Sequence, residues 1–360
     1  MNILFKFSIW LIVVAGTVLP VLAYADCSVT NQYITTVTLR GVSYSAGPDL
    51  PTGSIIYRQL TPGWQAVNYT CTGTNPRILF SVSNGSLLAG STDTYSSGLQ
   101  GIGIKVYRGQ NDSGTAITST TVQTIPLSSG SGTIQASDLS FFLSAIKTGT
   151  ITAGTANGSN LPTIKFDLID DSGNSQRLAY SSWSANGFSI NTPSCTTPDY
   201  TFDLGSALIS NSVTTSSWVS TAVTLTNCPV FYGNSVDKLS YENVSQVALG
   251  QNNYVISRSG TLARNIITMT LSPQITPVDV TNGILSNQTG SSYAQNVGVQ
   301  LATQSGTVYT PLNLNTSVTV RPTLSTSSVS FPLAARMIKT GDVVKPGLVN
   351  TSVTYTITYQ

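Results

Sequence analysis

The chain has no histidine, and charged residues make up only 8% of its 360 positions. Without histidine there is no Ser-His-Asp triad and no ordinary general base that titrates near neutrality. Neither an HExxH helix nor a Walker sequence occurs. The one dense carboxylate pair is Asp170-Asp171, and neighbouring residues do not face one substrate from opposite sides, as glycoside hydrolysis requires. No enzyme activity, cofactor or metal centre is therefore expected. A formal net charge of +2 gives no basic face for nucleic acid either.

Long apolar runs are lacking as well. A membrane span takes about 20 uninterrupted apolar residues, and the run at residues 8–19 falls short. It follows Lys6 and gives way to Pro20 and then Ala23-Tyr24-Ala25. That order is the one of a secretory signal peptide, expected at residues 1–25 and cut after Ala25. Cysteine is scarce too: Cys27, Cys71, Cys195 and Cys228, with no CxxC spacing to suggest metal or redox use. In an exported chain an even count reads as disulfides. Three connectivities are open. Pairing within each half closes two loops without tying the halves together, each bridge adding about 2–4 kcal/mol.

Serine, threonine, asparagine and glycine are abundant, and the 40% of hydrophobic residues are spread in alternating runs. The class is all-β. The length exceeds one ordinary domain, and the turn-rich Asn191-Thr192-Pro193-Ser194, directly before the third cysteine, is the expected boundary. It gives an N-terminal domain at 26–191 and a C-terminal domain at 192–360. The halves also match inside. Gly101-Ile102-Gly103-Ile104-Lys105-Val106 is like Val297-Gly298-Val299-Gln300-Leu301, and Ile146-Lys147-Thr148-Gly149 is repeated as Ile338-Lys339-Thr340-Gly341. Both IKTG runs lead past a glycine, Gly154 or Gly347, into an alternating strand. The two domains read as versions of one β-sandwich design. Leu139, Phe142, Leu143 and Ile146 have helical spacing behind Ser137 and Asp138. The counterpart around Pro332 is strand-like, so residues 139–147 are expected to be strand.

The sequence runs to Gln360 in mid-alternation. Val353, Tyr355, Ile357 and Tyr359 fall on one face, Thr354, Thr356 and Thr358 on the other. Together with the late cysteine pair around Asp203-Leu204-Gly205 and Val223-Thr224-Leu225, with Val297-Gly298-Val299-Gln300-Leu301, with Thr340-Gly341, Val344 and Gly347, and with the penultimate tyrosine, this strand resembles the pilin domain of chaperone–usher fimbriae, especially of two-domain tip adhesins. The resemblance implies two β-sandwiches. The first is a receptor-binding, lectin-like domain of immunoglobulin or jelly-roll type. The second is an immunoglobulin-like pilin domain lacking its last strand. It further implies a groove beside Val353, Tyr355, Ile357, Tyr359 and Gln360, filled first by a periplasmic chaperone and then by the next fimbrial subunit, with an outer-membrane usher as a further partner. Only Asp26 precedes Cys27 after the expected cut, so no donor segment is expected, and the place implied is the fimbrial tip at the bacterial cell surface.

Receptor domains of such adhesins bind host glycans, which call for planar hydrogen-bonding side chains and an aromatic face. The richest cluster is Asp170-Asp171-Ser172-Gly173-Asn174-Ser175-Gln176-Arg177, followed by Tyr180 and Trp183. Asp170, Asp171, Asn174, Gln176 and Trp183 are therefore candidates. By the resemblance the amine of Asp26 joins them, and Asn75 stands in the stretch after Cys71, which lacks the family's acidic and aromatic residues there. The same Asp-Asp-Ser-Gly-Asn is also an ordinary hairpin turn, and tryptophans are more often core than platform. A structural tip subunit that binds protein or biofilm matrix is the alternative.

Overall fold

A computed structural model describes residues 26–360 except 38, 40–42, 62, 64, 110–113, 120, 186, 235–240, 247–253, 260–263 and 325, and only the backbone of 241–246 and 254–259. The expected signal peptide at 1–25 lies outside the described residues. Apart from two single 3-10 turns, Ala136–Leu139 and Gly158–Asn160, the regular structure among the described residues is strand.

The N-terminal sandwich sets a six-stranded sheet, in the order Tyr254–Ser259, Tyr241–Gln246, Ile55–Thr61, Phe141–Lys147, Ile102–Arg108 and Tyr95–Ser96, against a five-stranded one, Tyr33–Val37, Ser175–Trp183, Thr163–Ile169, Arg77–Ser83 and Gln123–Pro126. Two three-stranded sheets complete it, one joining Cys27–Thr30, Val67–Cys71 and Gly130–Ile134, the other Gly154–Asn157, Gly187–Asn191 and Ser43–Ser45. Alternation decides the faces. Ile78, Phe80 and Val82 of Arg77–Ser83 are buried while their neighbours are half-exposed. Tyr57 stacks on Phe188 at 4.6 Å and Phe80 meets Phe166 at 4.7 Å, each such ring contributing roughly 1.5–3 kcal/mol by burial. One core cluster runs from Cys27 to Ile190, and the second draws on Val223 to Tyr359.

The second sandwich pairs Val219–Leu225, Val329–Lys339, Val297–Ser305 and Ile284–Ser286, with Val308–Pro311 alongside, and faces them with Val318–Val320, Ile267–Pro273 and Val353–Tyr359. Disulfides Cys27–Cys71 and Cys195–Cys228 close loops of 44 and 33 residues, one in each half. The hairpin of Tyr241–Gln246 and Tyr254–Ser259 extends the first domain's sheet, Glu242 and Asn243 pairing parallel with Gln59 and Leu60.

The internal repeat is structural. Gly103 pairs with Ile146 as Gly298 pairs with Ile338, and Ile102 with Lys147 as Val297 with Lys339. Thr148 donates its amide to Gly101 and Thr340 to Asn296, at 2.8 and 2.9 Å. Both acceptors have positive φ, 77° and 58°, a conformation that glycine and asparagine tolerate best. A Cβ at Gly103 would sit 2.7 Å from the Thr148 methyl, and one at Gly298 would sit 3.0 Å from that of Thr340. Each glycine makes room for the threonine of its own IKTG run. Residues 141–147 are strand, buried almost throughout. Only Ala136–Leu139 turns, closed by the Gln135 amide donating to Asp138 at 3.2 Å.

Candidate functional site

Among the described residues the strand Val353–Tyr359 is paired on one side only. Gln360 exchanges both backbone bonds with Ile266 at 2.9 Å. In an antiparallel ladder the two groups of a residue point the same way and alternate residues point oppositely. Thr354, Thr356 and Thr358 therefore face Ile267–Pro273, and Pro273, which has no N–H to give, stands opposite Val353, where the ladder asks for none. The N–H and C=O groups of Val353, Tyr355, Ile357 and Tyr359 point outward, and among the described residues no strand pairs with that edge. Such a row is a template for another strand.

Beside it lies a cavity of about 960 Å³. Val353, Tyr355, Ile357 and Tyr359 form one wall, the strandless residues 197–205 the other, and Val223, Leu271, Leu301 and Leu333 lie in its floor. Two tyrosines stitch the walls together at the ends of their rings. The Tyr355 hydroxyl donates to the Pro198 carbonyl, and the Tyr359 hydroxyl accepts from the Cys195 amide at 3.0 Å. Burial pushes the pKa of both hydroxyls above the ordinary tyrosine value, so both stay neutral at physiological pH. Gln360 does not line the cavity; its backbone is spent on Ile266 and its carbonyl also accepts from Asn265 at 3.2 Å.

The N-terminal domain shows what is absent there. Ile78, Phe80 and Val82 pair with Leu168, Phe166 and Ile164 as Ile267, Met269 and Leu271 pair with Tyr359, Ile357 and Tyr355. In the first domain the chain continues past Ile169, turns at 170–174 and returns as Ser175–Trp183, which fills the edge. That strand has no equivalent among the described residues of the second domain.

Five of the seven receptor-binding candidates converge at one end of the first domain. Asp26 and Thr72 exchange hydrogen bonds, the Asp26 amide reaching the Thr72 hydroxyl at 2.9 Å and the Thr72 amide the Asp26 carbonyl at 3.0 Å. Asp171 accepts from the amides of Thr74 and Asn75 at 2.6 and 2.8 Å. These two amides, ahead of other contacts, hold its carboxyl below the ordinary aspartate range. Asp170 is 1% exposed. It accepts from the amides of Ser172 and Asn174 at 2.9 and 2.7 Å and from the Asn174 side chain at 2.8 Å. Burial alone would raise its pKa, but these bonds outweigh it and the net shift is downward. Both carboxylates thus act as turn and loop acceptors. Gln176 is exposed on the adjoining strand. Trp183 is corrected to a core residue: it is 8% exposed, donates to the Pro162 carbonyl at 2.9 Å and packs edge-on against Phe141.

Residues 251–360 match the fimbrial protein family. The match lies within the C-terminal domain. Solved structures similar to the whole or to half of the chain include the CupB6 tip adhesin from Pseudomonas aeruginosa, 13% identical over 93% of this chain and 94% of that one, with a TM-score of 0.34. The receptor binding domain of the plasmid-born adhesin MrkD1P of Klebsiella pneumoniae is 22% identical over 48% of this chain and 98% of that one, with a TM-score of 0.32. The P pilus rod subunit PapA is 14% identical over 46% and 99%, with a TM-score of 0.29. No curated protein matches the chain.

Sequence reasoning missed the residues that join the second domain to the first. The Ser45 amide donates to the Gly233 carbonyl at 2.8 Å, Tyr232 donates to the Ser45 hydroxyl at 2.9 Å, and Asn265 donates to the Ser45 carbonyl at 2.9 Å. Ser45, Asn234 and Asn265 are all buried polar residues, and buried polar groups in a sparsely charged chain are the one signal that could have pointed to such a joint.

Proposed function

We propose that the chain is a fimbrial tip adhesin, divided at 191/192, whose fimbrial domain takes a strand from another polypeptide along Val353, Tyr355 and Ile357 and whose first domain binds host glycans. The observation that carries the reading is the unpaired edge beside an apolar-floored cavity, within a region that largely coincides with the fimbrial match. The contrast between the domains supports the division of labour, because the first fills the corresponding edge with its own Ser175–Trp183 and leaves its loop end free for a receptor. On this reading a periplasmic chaperone occupies the groove before the next fimbrial subunit does, an usher exports the pair, and the chain ends up at the tip on the bacterial surface. Strand addition of this kind takes its affinity from the backbone and its selectivity from alternate side chains.

The receptor half of the reading is tested by offering the full chain, stabilised with a strand peptide, to a glycan array. Asn75→Ala and Gln176→Ala should each weaken the bound glycan about tenfold, the loss of one or two hydrogen bonds to a polar ligand. A second reading, a tip subunit that binds protein or matrix, is favoured by the occupation of the Asp170 and Asp171 carboxylates by backbone amides. An empty array together with binding to laminin or collagen would replace the lectin by that reading.

A further inference from the structure

The last rung of the open edge is already taken, and not by a strand. The loop between Ser43–Ser45 and Ile55–Thr61 of the first domain crosses to the end of the terminal strand. There the Asp49 carboxylate accepts from the Tyr359 amide at 2.9 Å, and the Asp49 amide donates to the Tyr359 carbonyl at 3.2 Å. Those two groups point the same way as the unpaired ones of Ile357, Tyr355 and Val353. The approach is backbone against backbone: a Cβ on Gly47 would lie 2.0 Å from the Tyr359 carbonyl oxygen.

The loop is held from behind. Lys147, 5% exposed, donates its ammonium to the Pro48 carbonyl at 2.6 Å. Its own backbone is fixed by Ser54 and Gly53 at 2.9 and 2.7 Å. The start of the loop is fastened to the fimbrial domain through Ser45, Gly233 and Asn265. A strand that competed for Tyr359 would have to displace an acceptor, a donor and a loop that a buried lysine anchors.

We infer that Asp49 is a stop. It ends the groove at Ile357, so that an entering extended polypeptide pairs with Val353, Tyr355 and Ile357 and gains nothing by reaching further, and it makes the interdomain joint the end wall of the strand site. This rests on the groove reading proposed above and adds to it the length and register of the occupant. Asp49 holds Tyr359, the rung past the occupant's last; its role is to set specificity.

The test uses the full chain and fluorescent peptides of alternating valine and threonine, lengthened two residues at a time at the end that lies over Tyr359, with dissociation rate as the readout. For the natural chain, residence time should rise with each step up to the Ile357 rung and then stay flat. For Asp49→Ala the next step should slow dissociation about threefold, as the Tyr359 N–H becomes available while the amide of residue 49 still holds the Tyr359 carbonyl. Asp49→Asn keeps an oxygen acceptor and should stay flat. Unchanged binding of the shortest peptide by each variant shows that the groove itself is intact. Peptides that bind all three proteins with one length dependence would overturn the stop and leave the groove reading standing. If no peptide binds any of them, the groove reading fails and the stop falls with it.

Discussion

Removal of residues 353–360 should leave no recoverable soluble protein, with or without a chaperone or strand peptide present. Tyr359 is buried in the second core and Val353, Tyr355 and Ile357 pack half-buried against it, and full burial of a side chain of that size contributes roughly 1.5–3 kcal/mol. Their sum is comparable with the whole stability of an ordinary domain, about 5–15 kcal/mol. The deletion also strips Ile267–Pro273 of its longer partner and leaves it only Val318–Val320, too little pairing for a sheet. Tyr359 goes as well, and with it the hydrogen bonds to Cys195 and Asp49. The check is soluble yield after export beside Thr356→Ala, an exposed change on the outer face that should cost little. A normal yield of the truncated chain would break the account of the second domain.

The second large effect concerns the Cys195–Cys228 disulfide. Replacing both cysteines by alanine should destabilise the second domain by about 2–5 kcal/mol, a fall in its melting temperature on the order of 10 °C. The bond closes a 33-residue loop, and Cys195 is also where the groove wall at 197–205 begins, its amide bound to the Tyr359 hydroxyl. The loss should therefore be read in the second domain, with the first domain, stapled by Cys27–Cys71, melting as before. Calorimetry separates the two, and equal shifts in both transitions would mean that the domains do not hold their own cores.

Features set by local periodicity were legible in the sequence. The two faces of Val353–Tyr359 follow from alternation alone, and the burial along the strand agrees with it. The repeated IKTG runs were legible as a common order of short motifs, and their shared register with Gly103 and Gly298 gives the physical reason: threonine packs where a Cβ would not fit. Contacts made by packing were not legible. Asp171 finds its donors in Thr74 and Asn75, 97 and 96 residues away, and nothing in Asp-Asp-Ser-Gly-Asn announces that loop. Trp183 sits at the end of a strand whose alternation is broken by a bulge opposite Phe166 and Asp167, so its face could not be counted from the cluster before it. Asp49 and Tyr359 lie 310 residues apart and meet only because two domains dock.

Among the described residues the outer edge of the terminal strand is open, and the proposed function has it take a strand. Residue-resolved amide exchange reads it directly, because open and paired amides alternate along Val353–Tyr359. In the unoccupied chain the amides of Tyr355 and Ile357 should exchange fast and those of Thr356 and Thr358 slowly. A saturating strand peptide should bring Tyr355 and Ile357 down to the rate of their neighbours. Slow exchange at Tyr355 and Ile357 before any peptide is added, or fast exchange that persists with the peptide bound, would contradict it.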